Sequence, residues 1–395
     1  MATGTNSSFR KGWIYIGSAA AVVVVLVFVL FFSIEGKPGK IPVGVLYSQT
    51  GEWAQMEKPA IQATLLAIEE INAKGGIRGR KLKPILVDAR SSEEGYLNAT
   101  KELIVKHKVP VIFGGWNSVS RLAIQGAIED HSNLLISPAV GEGIEDSPSV
   151  ISTGAADNQR LVPAITWSVQ SFGKKIMVIL SKSYFSKRAD ELITDVAHVC
   201  GGEIIAKVDV EQLSPKEILK QIEKEKPDVV LNLLDCMGNR KLRTQMQEEN
   251  ISFGQTPVMY VQTECVLEAE ENNSYFVCSY YEELPDETNQ LFVSAFHQKY
   301  GEQPISELME SSYVGVYLWA QVVRQMHTAD SQIVKSNIRG QALQAPEGIV
   351  YVEPQNNHLW KTVRVVRLKE RKGVEEVWSS NKPMRPSLFF FFEVY

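Results

Sequence analysis

Two glycines and the polar residues after them are the part of this sequence best suited to hold a ligand. A short apolar run, residues 111–113, ends at Gly114 and Gly115, and apolar residues then recur at helical spacing. This pattern predicts a strand, a glycine turn and a helix capped by Ser118 or Ser120. A helix N-terminus presents unpaired backbone N–H groups, so Ser118 is predicted to donate a hydrogen bond to a ligand oxygen. The alternative is that both serines only cap their own helix.

Acidic and hydroxyl side chains follow two later apolar runs. Asp235 comes after residues 229–233, and Thr263 and Glu264 come after residues 258–261. If these runs are parallel strands, their carboxyl ends open into the crevice where open α/β sheets bind ligands. A carboxylate there can accept hydrogen bonds from an amide, urea or ammonium group, and the alternative is a charge solvated in a loop.

Motifs of the common enzyme classes are absent from the sequence. It contains no Gly-x-Ser-x-Gly, His-Glu-x-x-His or P-loop sequence, and its six histidines do not cluster. Glu142 and Glu145 lie close together in a loop rich in glycine and proline, without a histidine or a metal site beside them. We therefore predict that the chain is not an enzyme, has no catalytic residue and binds no cofactor.

The cysteines and the charge argue against two further classes of protein. The four cysteines are Cys200, Cys236, Cys265 and Cys278. None of them has the Cys-x-x-Cys spacing of a zinc or dithiol site, and their spacing does not choose a disulfide pair. The chain of 395 residues has a net charge of -5 with scattered Lys and Arg, which does not favour a nucleic-acid surface. We predict no bound metal and no nucleic-acid partner.

Apolar strands and amphipathic helices alternate along most of the chain. A first series has strands at residues 41–46, 82–88 and 109–113 and helices at 59–72 and 93–107. A second series has strands at residues 176–180, 204–208, 229–233 and 258–261 and helices at 187–200, 215–224 and 242–249. Short strands separated by helices indicate parallel sheets. The predicted fold class is therefore α/β, with two doubly wound, Rossmann-like lobes, a hinge and a cleft between the lobes.

An uncharged apolar segment precedes both series. Residues 14–34 carry no charged side chain, and about twenty apolar residues span a bilayer. The segment is long for a signal peptide and ends without a small-x-small cleavage site, which favours an uncleaved transmembrane anchor. Arg10 and Lys11 place residues 1–13 in the cytoplasm by the positive-inside rule, so the rest of the chain is expected to face the periplasm or the cell exterior.

Several motifs of this chain also occur together in one known family. They are Ala67-Ile-Glu-Glu-Ile-Asn-Ala-Lys-Gly-Gly-Ile-Arg-Gly-Arg80, Phe113-Gly-Gly-Trp-Asn-Ser-Val-Ser-Arg121, Glu142-Gly-Ile-Glu-Asp-Ser-Pro148, Thr153-Gly-Ala-Ala-Asp-Asn-Gln159, Met309-Glu-Ser-Ser-Tyr-Val-Gly-Val-Tyr-Leu-Trp-Ala-Gln321, Ala345-Pro-Glu-Gly348, Asn356-Asn-His-Leu-Trp-Lys-Thr362 and Lys382-Pro-Met-Arg-Pro386. With these motifs, the chain from about residue 40 resembles the type I periplasmic binding proteins, the branched-chain amino-acid type. It is most similar to their urea- and short-chain-amide-binding branch, which serves ABC transporters.

This resemblance implies a hinged binding protein that closes on a small polar solute. The solute would be urea, a short-chain amide or an amino acid, and the partners would be the permease subunits of an ABC importer. Residues 40–159, completed by 284–328, would form lobe one, and residues 160–283, completed by 329–395, would form lobe two. The alternative function is a membrane-tethered receptor that reports the same solutes to a membrane signalling partner.

The resemblance also implies a set of ligand-binding residues. Ser118 matches the family's site, and so does the segment 137–143, although Gly141 stands where the branch usually has Tyr. Residues 181–185 read Ser-Lys-Ser-Tyr-Phe where the family tends to have Gly-Ser-Asp-Tyr-x-Tyr, which leaves the register of the aromatic residues open. The candidate ligand-binding residues are Trp116, Asn117, Ser118, Ala139, Val140, Ser183, Tyr184, Phe185, Asp235, Thr263 and Glu264.

Overall fold

The computed structural model of the chain describes residues 39–140, 147–262, 273–369 and 373–387. The predicted anchor at residues 14–34 lies outside these ranges. Within them, none of the helices is both long enough and apolar enough to cross a membrane.

The first sheet is parallel throughout and alternates with helices. Its strands are β1 (Ile41–Tyr47), β2 (Leu82–Asp88), β3 (Ile112–Gly114), β4 (Leu135–Ser137) and β5 (Val150–Ser152), in the spatial order β2-β1-β3-β4-β5. Its helices are α1 (Ala54–Ala73), α2 (Glu93–Lys101), which continues into a π-helical turn (Glu102–Lys106), and α3 (Ser118–Asp130). Apolar strand residues pack into separate clusters on the two faces of the sheet, so helices cover both faces, as parallel sheets require.

The second sheet combines a parallel part with an antiparallel part. The parallel strands are β6 (Lys175–Leu180), β7 (Glu203–Asp209), β8 (Val229–Asn232), β9 (Val258–Tyr260) and β10 (Ser274–Cys278). The antiparallel strands are β11 (Ala342–Ala345), β12 (Gly348–Val352), β13 (Leu359–Leu368) and β14 (Val374–Met384), and β13 joins them to β10. The accompanying helices are α4 (Leu161–Ser171), α5 (Tyr184–Val199), α6 (Pro215–Glu225) and α7 (Cys236–Glu248).

Three further helices follow β10, and two of them complete the first core. They are α8 (Glu287–Tyr300), α9 (Glu307–Met326) and α10 (Ser331–Ile338). Trp319 of α9 is fully buried, and its ring meets the ring of Phe113 edge-on, with 6.0 Å between the ring centroids. Val334 of α10 and Val350 of β12 belong to the same apolar cluster. The segment from α9 to β12 therefore packs with the first sheet.

Each sheet and its helices form one lobe, except that β11 and β12 of the second sheet pack in the first core, and this arrangement confirms the predicted two-lobe α/β fold. The chain passes between the lobes after β5, after β10 and along the start of β13. Leu359, the first residue of β13, packs in the first core, whereas Val363 and Val365 of the same strand pack in the second. One strand thus contributes to both cores.

Helix α1 begins earlier than the sequence predicts. The apolar spacing places its start at Pro59, but the helix begins at Ala54, and Pro59 lies inside it. Residues 54–58 carry mostly polar side chains, so hydrophobic periodicity does not reveal them. These additional turns contain Met56 and Glu57, which interact with residues of the cleft between the lobes.

Candidate functional site

A cavity of about 170 Å³ lies between the two lobes. Its lining residues are Trp53, Trp116, Asn117, Ser118, Val119 and Val140 from the first lobe, and Ser183, Asp235, Cys236, Met237 and Gln262 from the second. They follow strands β1, β3, β4, β6, β8 and β9 in the sequence. The cavity therefore lies at the carboxyl ends of parallel strands from both lobes, where α/β proteins bind ligands.

A second depression, of about 420 Å³, lies on the first lobe alone. Residues of the loop after β1 and of α1 line it, namely Gln49, Ala54, Gln55, Lys58, Ile61 and Gln62. Because the second lobe contributes nothing to it, a hinge motion would not enclose a ligand there. The cavity between the lobes is the better candidate for a binding site.

The turn before α3 requires its two glycines. A Cβ atom on Gly114 would lie 2.0 Å from the backbone oxygen of Leu46 on β1, and Gly115 has a positive φ of 72°. Side chains at either position would clash or be strained. The glycines therefore let the backbone turn directly from β3 into α3, so that the first turn of this helix faces the cavity.

The cap of α3 differs from the prediction. Asn117, not a serine, is the N-cap: its side chain accepts a hydrogen bond from the Ser120 backbone N–H at 2.9 Å, and Ser120 Oγ accepts one from the Asn117 N–H at 3.1 Å. This reciprocal pair is a capping box. Ser118 is the first helical residue, is half-buried, and its hydroxyl has no hydrogen-bond partner among the described residues. Its hydroxyl is therefore available to a ligand.

The second lobe presents two further helix N-termini to the cavity. Ser183 caps α5 by accepting from the Ser186 N–H at 3.2 Å, and Asp235 caps α7 through Oδ1, which accepts from the Gly238 N–H at 2.8 Å. The second carboxylate oxygen of Asp235 has no partner in the part of the chain that the structure describes. Asp235 thus combines a structural role with a free hydrogen-bond acceptor.

One sulfur contact connects the lobes at the edge of the cavity. Cys236 Sγ lies 3.1 Å from Met56 Sδ, and Cys236 is disulfide-bonded. Cys200 and Cys278 are free, and Cys265 lies outside the described residues. The contact joins α1 of the first lobe to the first residue of α7 in the second.

Aromatic rings form the first-lobe wall of the cavity. The rings of Trp53 and Trp116 meet edge-on with 6.2 Å between their centroids. The centroids of the Trp53 and Tyr96 rings are 6.3 Å apart. Glu57 is fully buried and accepts hydrogen bonds at Oε2 from the Ser48 N–H at 2.7 Å and the Tyr96 hydroxyl at 2.5 Å. Burial raises the pKa of Glu57 to about 7, although the hydrogen bonds from Tyr96 and Ser48 and the nearby indole of Trp116 oppose this rise.

Charged side chains are buried where the chain passes between the lobes. Arg160 Nη2 lies 3.0 Å from Glu307 Oε2, and Lys361 Nζ lies 2.5 Å from Glu347 Oε1 and 4.0 Å from Glu310 Oε2. Burial, followed by the neighbouring Glu347 carboxylate, raises the pKa of Glu310 well above its usual value. Burial by itself would lower the pKa of Lys361, but the adjacent carboxylates outweigh this effect and raise the pKa above its usual value. Two buried clusters of opposite charges therefore lie at the crossings between the lobes.

The structure places six of the predicted site residues around the cavity. They are Trp116, Asn117, Ser118, Val140, Ser183 and Asp235. Ala139 is buried beside Val140 and does not line the cavity, while Tyr184 and Phe185 begin α5. Thr263 and Glu264 lie outside the described residues.

Five lining residues were not predicted: Trp53, Val119, Cys236, Met237 and Gln262. Trp53 follows β1 by six residues, and Cys236 and Met237 form the first turn of α7. The rule that identified Ser118, namely that ligands bind where a strand ends and a helix begins, applies to these residues as well. Extending that rule to the loop after the first strand would have identified Trp53.

The lining residues offer both polar and apolar contacts to a bound molecule. Hydroxyl groups and helix N-termini of both lobes line the cavity, a carboxylate acceptor lies on the second-lobe side, and tryptophan and aliphatic side chains fill the walls. No Lys, Arg or His is among the described residues that line the cavity. The described ranges also contain no cluster of His, Cys, Asp and Glu side chains able to hold a metal ion.

Comparisons with known proteins agree with this architecture. The family model for the periplasmic binding protein domain matches residues 41–393. A solved solute-binding protein of an ABC transporter from Rhodopseudomonas palustris BisB5, in complex with 3,4-dihydroxybenzoic acid, is similar with a TM-score of 0.77 and 19% identity. The match covers 88% of this chain and 99% of that one.

Two further solved structures have the same fold. The substrate-binding protein of the branched-chain amino-acid transporter from Streptococcus pneumoniae, in complex with isoleucine, is similar with a TM-score of 0.73 and 19% identity, covering 86% of this chain and 99% of that one. An ABC transporter substrate-binding protein from Sphaerobacter thermophilus is similar with a TM-score of 0.78 and 16% identity, covering 89% of this chain and 100% of that one. The urea and amide branch, which is a narrower assignment, stays a prediction.

Proposed function

The chain belongs to the family of periplasmic binding protein domains, and on this premise we propose that it is an extracytoplasmic solute-binding protein for an ABC importer. The observation that carries the proposal is the cavity between the lobes, to which both lobes contribute side chains. A site divided between two lobes can close on a solute by a hinge motion and release it by opening. Capture and delivery need no reaction at the bound solute.

The solute in this proposal is small and polar, with an oxygen at one end and an N–H group at the other. The Ser118 hydroxyl and the N-terminus of α3 can donate to a carbonyl or carboxylate oxygen. The free Asp235 oxygen can accept from an amide or ammonium group. Urea, short-chain amides and amino acids meet both requirements, and a cavity of about 170 Å³ favours the smaller of them.

The proposal also assigns residues to the two lobes and places both lobes on one side of the membrane. Residues 40–159 and 284–328 would form lobe one, to which we add α10, β11 and β12 because their apolar residues pack in its core. Residues 160–283 and the chain from β13 onward would form lobe two. Residues 14–34 would anchor the protein, with both lobes outside the cytoplasm.

Binding of defined solutes to the full chain tests this proposal. Urea, acetamide, L-isoleucine and benzoate would each be titrated while thermal unfolding is recorded. A solute at a hundred times its dissociation constant stabilises the folded state by about 2.7 kcal/mol. We expect stabilisation by at least one of the first three solutes, since each offers both an oxygen and an N–H group.

A matched pair of variants locates the site. Asp235→Asn keeps an oxygen that can cap α7 but removes the carboxylate charge, so it should weaken binding of the stabilising solute. Asp286→Asn is the control, because Asp286 caps α8 in the same way, accepting from the Thr288 N–H at 2.8 Å, and does not line the cavity. Stabilisation by benzoate alone, or equal binding by Asp235→Asn and the parent chain, would contradict the proposed solute class.

A further inference from the structure

A buried carboxyl group lies directly behind the wall of the cavity. Glu57 is on α1, has no exposed surface and does not line the cavity. Its Oε2 accepts two hydrogen bonds, from the backbone N–H of Ser48 after β1 and from the Tyr96 hydroxyl on α2. One carboxyl group therefore joins three elements of the first lobe, and both donors converge on one of its two oxygens.

The second oxygen of this group and the ring nitrogen of Trp116 in the cavity wall are both left without a hydrogen bond in the part of the chain that the structure describes. Glu57 Oε1 and Trp116 Nε1 are both buried, and neither has a partner with full hydrogen-bond geometry among the described residues. The indole N–H is nevertheless close enough to lower the pKa of Glu57. Trp116 lines the cavity and packs edge-on against Trp53, which lines it too. Glu57 Oε1 can therefore accept a hydrogen bond from Trp116 Nε1, since both atoms lack another partner in the described ranges.

The ionisation of Glu57 decides whether this partnership forms. A carboxylate accepts at both oxygens, so the ionised group can take the indole N–H at Oε1 while Oε2 keeps its two donors. A proton on the neutral group goes to Oε1, because Oε2 already accepts two hydrogen bonds. The neutral group would then present an O–H donor to an N–H donor, and Trp116 would lose its partner.

The other titratable groups around Glu57 keep one charge state near neutral pH. Tyr47 of β1 and Tyr96 of α2 are the titratable neighbours within the described chain that interact with Glu57. Burial raises the pKa of Tyr47 to about 12 and that of Tyr96 well above its usual value. A change in this cluster between pH 6 and pH 8 would therefore come from Glu57.

We propose that Glu57 is a positioning residue of the binding cavity, which in its ionised form holds the indole of Trp116 and thereby fixes the aromatic wall against which the solute packs. Protonation of Glu57 releases the indole and loosens this wall. The link between Glu57 and Trp116 does not require a bound solute. The effect of this link on solute affinity rests on the proposed function. The cavity would bind its solute more tightly above neutral pH than below it.

The indole N–H resonances of the full chain test the link without any solute. The chain would be labelled with ¹⁵N-tryptophan in detergent, and Trp116→Phe would identify the Trp116 signal among those of the seven tryptophans. We expect this signal to shift with pH, with a midpoint near neutral pH. The shift should disappear in Glu57→Gln, whose side chain cannot ionise. An unchanged shift in Glu57→Gln, or none in the parent chain, would overturn the proposal.

Two more variants complete the spectroscopic test. Glu70→Gln is the matched control, since Glu70 is on the same helix and accepts from the hydroxyls of Tyr313 and Tyr317 at 2.6 and 2.5 Å, away from the cavity. It should titrate like the parent chain. Tyr96→Phe removes a donor that favours the ionised carboxyl, so it should move the Trp116 midpoint to higher pH. This variant keeps the carboxyl and tests the link even if Glu57→Gln does not fold.

Affinity measurements extend the test to the solute. Binding of acetamide and of L-isoleucine would be measured at pH 6 and pH 8 by calorimetry. The parent chain should bind about two- to tenfold more tightly at pH 8, the effect of one net hydrogen bond, and Glu57→Gln equally at both. Tighter binding at pH 6 would mean that the charge of Glu57 repels the solute, and would overturn the positioning role. If neither of these compounds binds and urea does not bind either, the proposed solute class fails, and the resonance of Trp116 still decides the role of Glu57.

Discussion

The sulfur atoms of Met56 and Cys236 lie 3.1 Å apart, although Met56 belongs to α1 of the first lobe and Cys236 begins α7 of the second. Cys236 also lines the cavity. The lobes therefore touch beside the cavity.

Closure should depend on the solute. We expect the chain without solute to open and to lose the contact between Met56 and Cys236, because no solute then connects the lobes. Small-angle neutron scattering of the full chain in contrast-matched detergent should give a smaller radius of gyration with the stabilising solute than without it. The same radius in both states, with binding shown independently, would contradict a hinge motion.

Ser118→Ala should weaken binding and leave the fold intact. The hydroxyl of Ser118 faces the cavity while Asn117 caps the helix, so the change removes a donor to the solute but no cap. For a neutral amide the loss of affinity should be about 0.5–1.5 kcal/mol, measured by calorimetry. Ser120→Ala is the matched control, because Ser120 belongs to the capping box and does not line the cavity. If both variants bind like the parent chain, Ser118 has no part in binding.

The stability of the protein should carry a pH dependence that comes from Glu57. Its pKa is raised in the folded state from 4.5 to about 7, first of all by burial. The folded chain therefore holds this proton more tightly than the unfolded chain, and the stability that the neutral group provides below about pH 4.5 is lost as the pH rises to about 7. The loss is on the order of 3 kcal/mol.

Denaturant unfolding at several pH values measures this loss. Other carboxyl groups also change stability with pH, so the comparison is the difference between the parent chain and Glu57→Gln. Relative to this variant, the parent chain should become less stable between pH 5 and pH 7.5. A difference that stays constant, or that favours the parent chain as the pH rises, would show that Glu57 does not hold its proton as described.

Removal of the buried ammonium group at the crossing between lobes should destabilise the protein strongly. Lys361→Met leaves Glu347 without the ammonium group 2.5 Å away, and breaking a buried pair costs about 3–5 kcal/mol. Lys106→Met is the control, since its pair with Glu102 is on the surface and contributes at most about 1 kcal/mol. Chemical denaturation measures both changes. Equal effects of the two variants would mean that the pair with Glu347 contributes little.

Much of the fold follows from local pattern. The predicted strand at residues 82–88 coincides with β2, and the alternation of strands and helices predicts two parallel α/β units, because a buried strand and an amphipathic helix each leave their own periodicity in the sequence. The start of α1 is not visible in this way, since its first residues are polar. Met56 and Glu57 are consequently missed, although one contacts the second lobe and the other supports the cavity wall.

The candidate site, too, is predicted by the sequence only in part. The rule that ligands bind where parallel strands end is a rule of local sequence, and it identifies Ser118 and Asp235. The partners of these residues depend on contacts between distant parts of the chain. Met56 and Cys236 are 180 positions apart, and so are chosen by the way the lobes meet. The orientation of the Trp116 indole toward Glu57 is likewise set by packing in three dimensions, because no periodicity in the sequence encodes which buried polar atoms face each other.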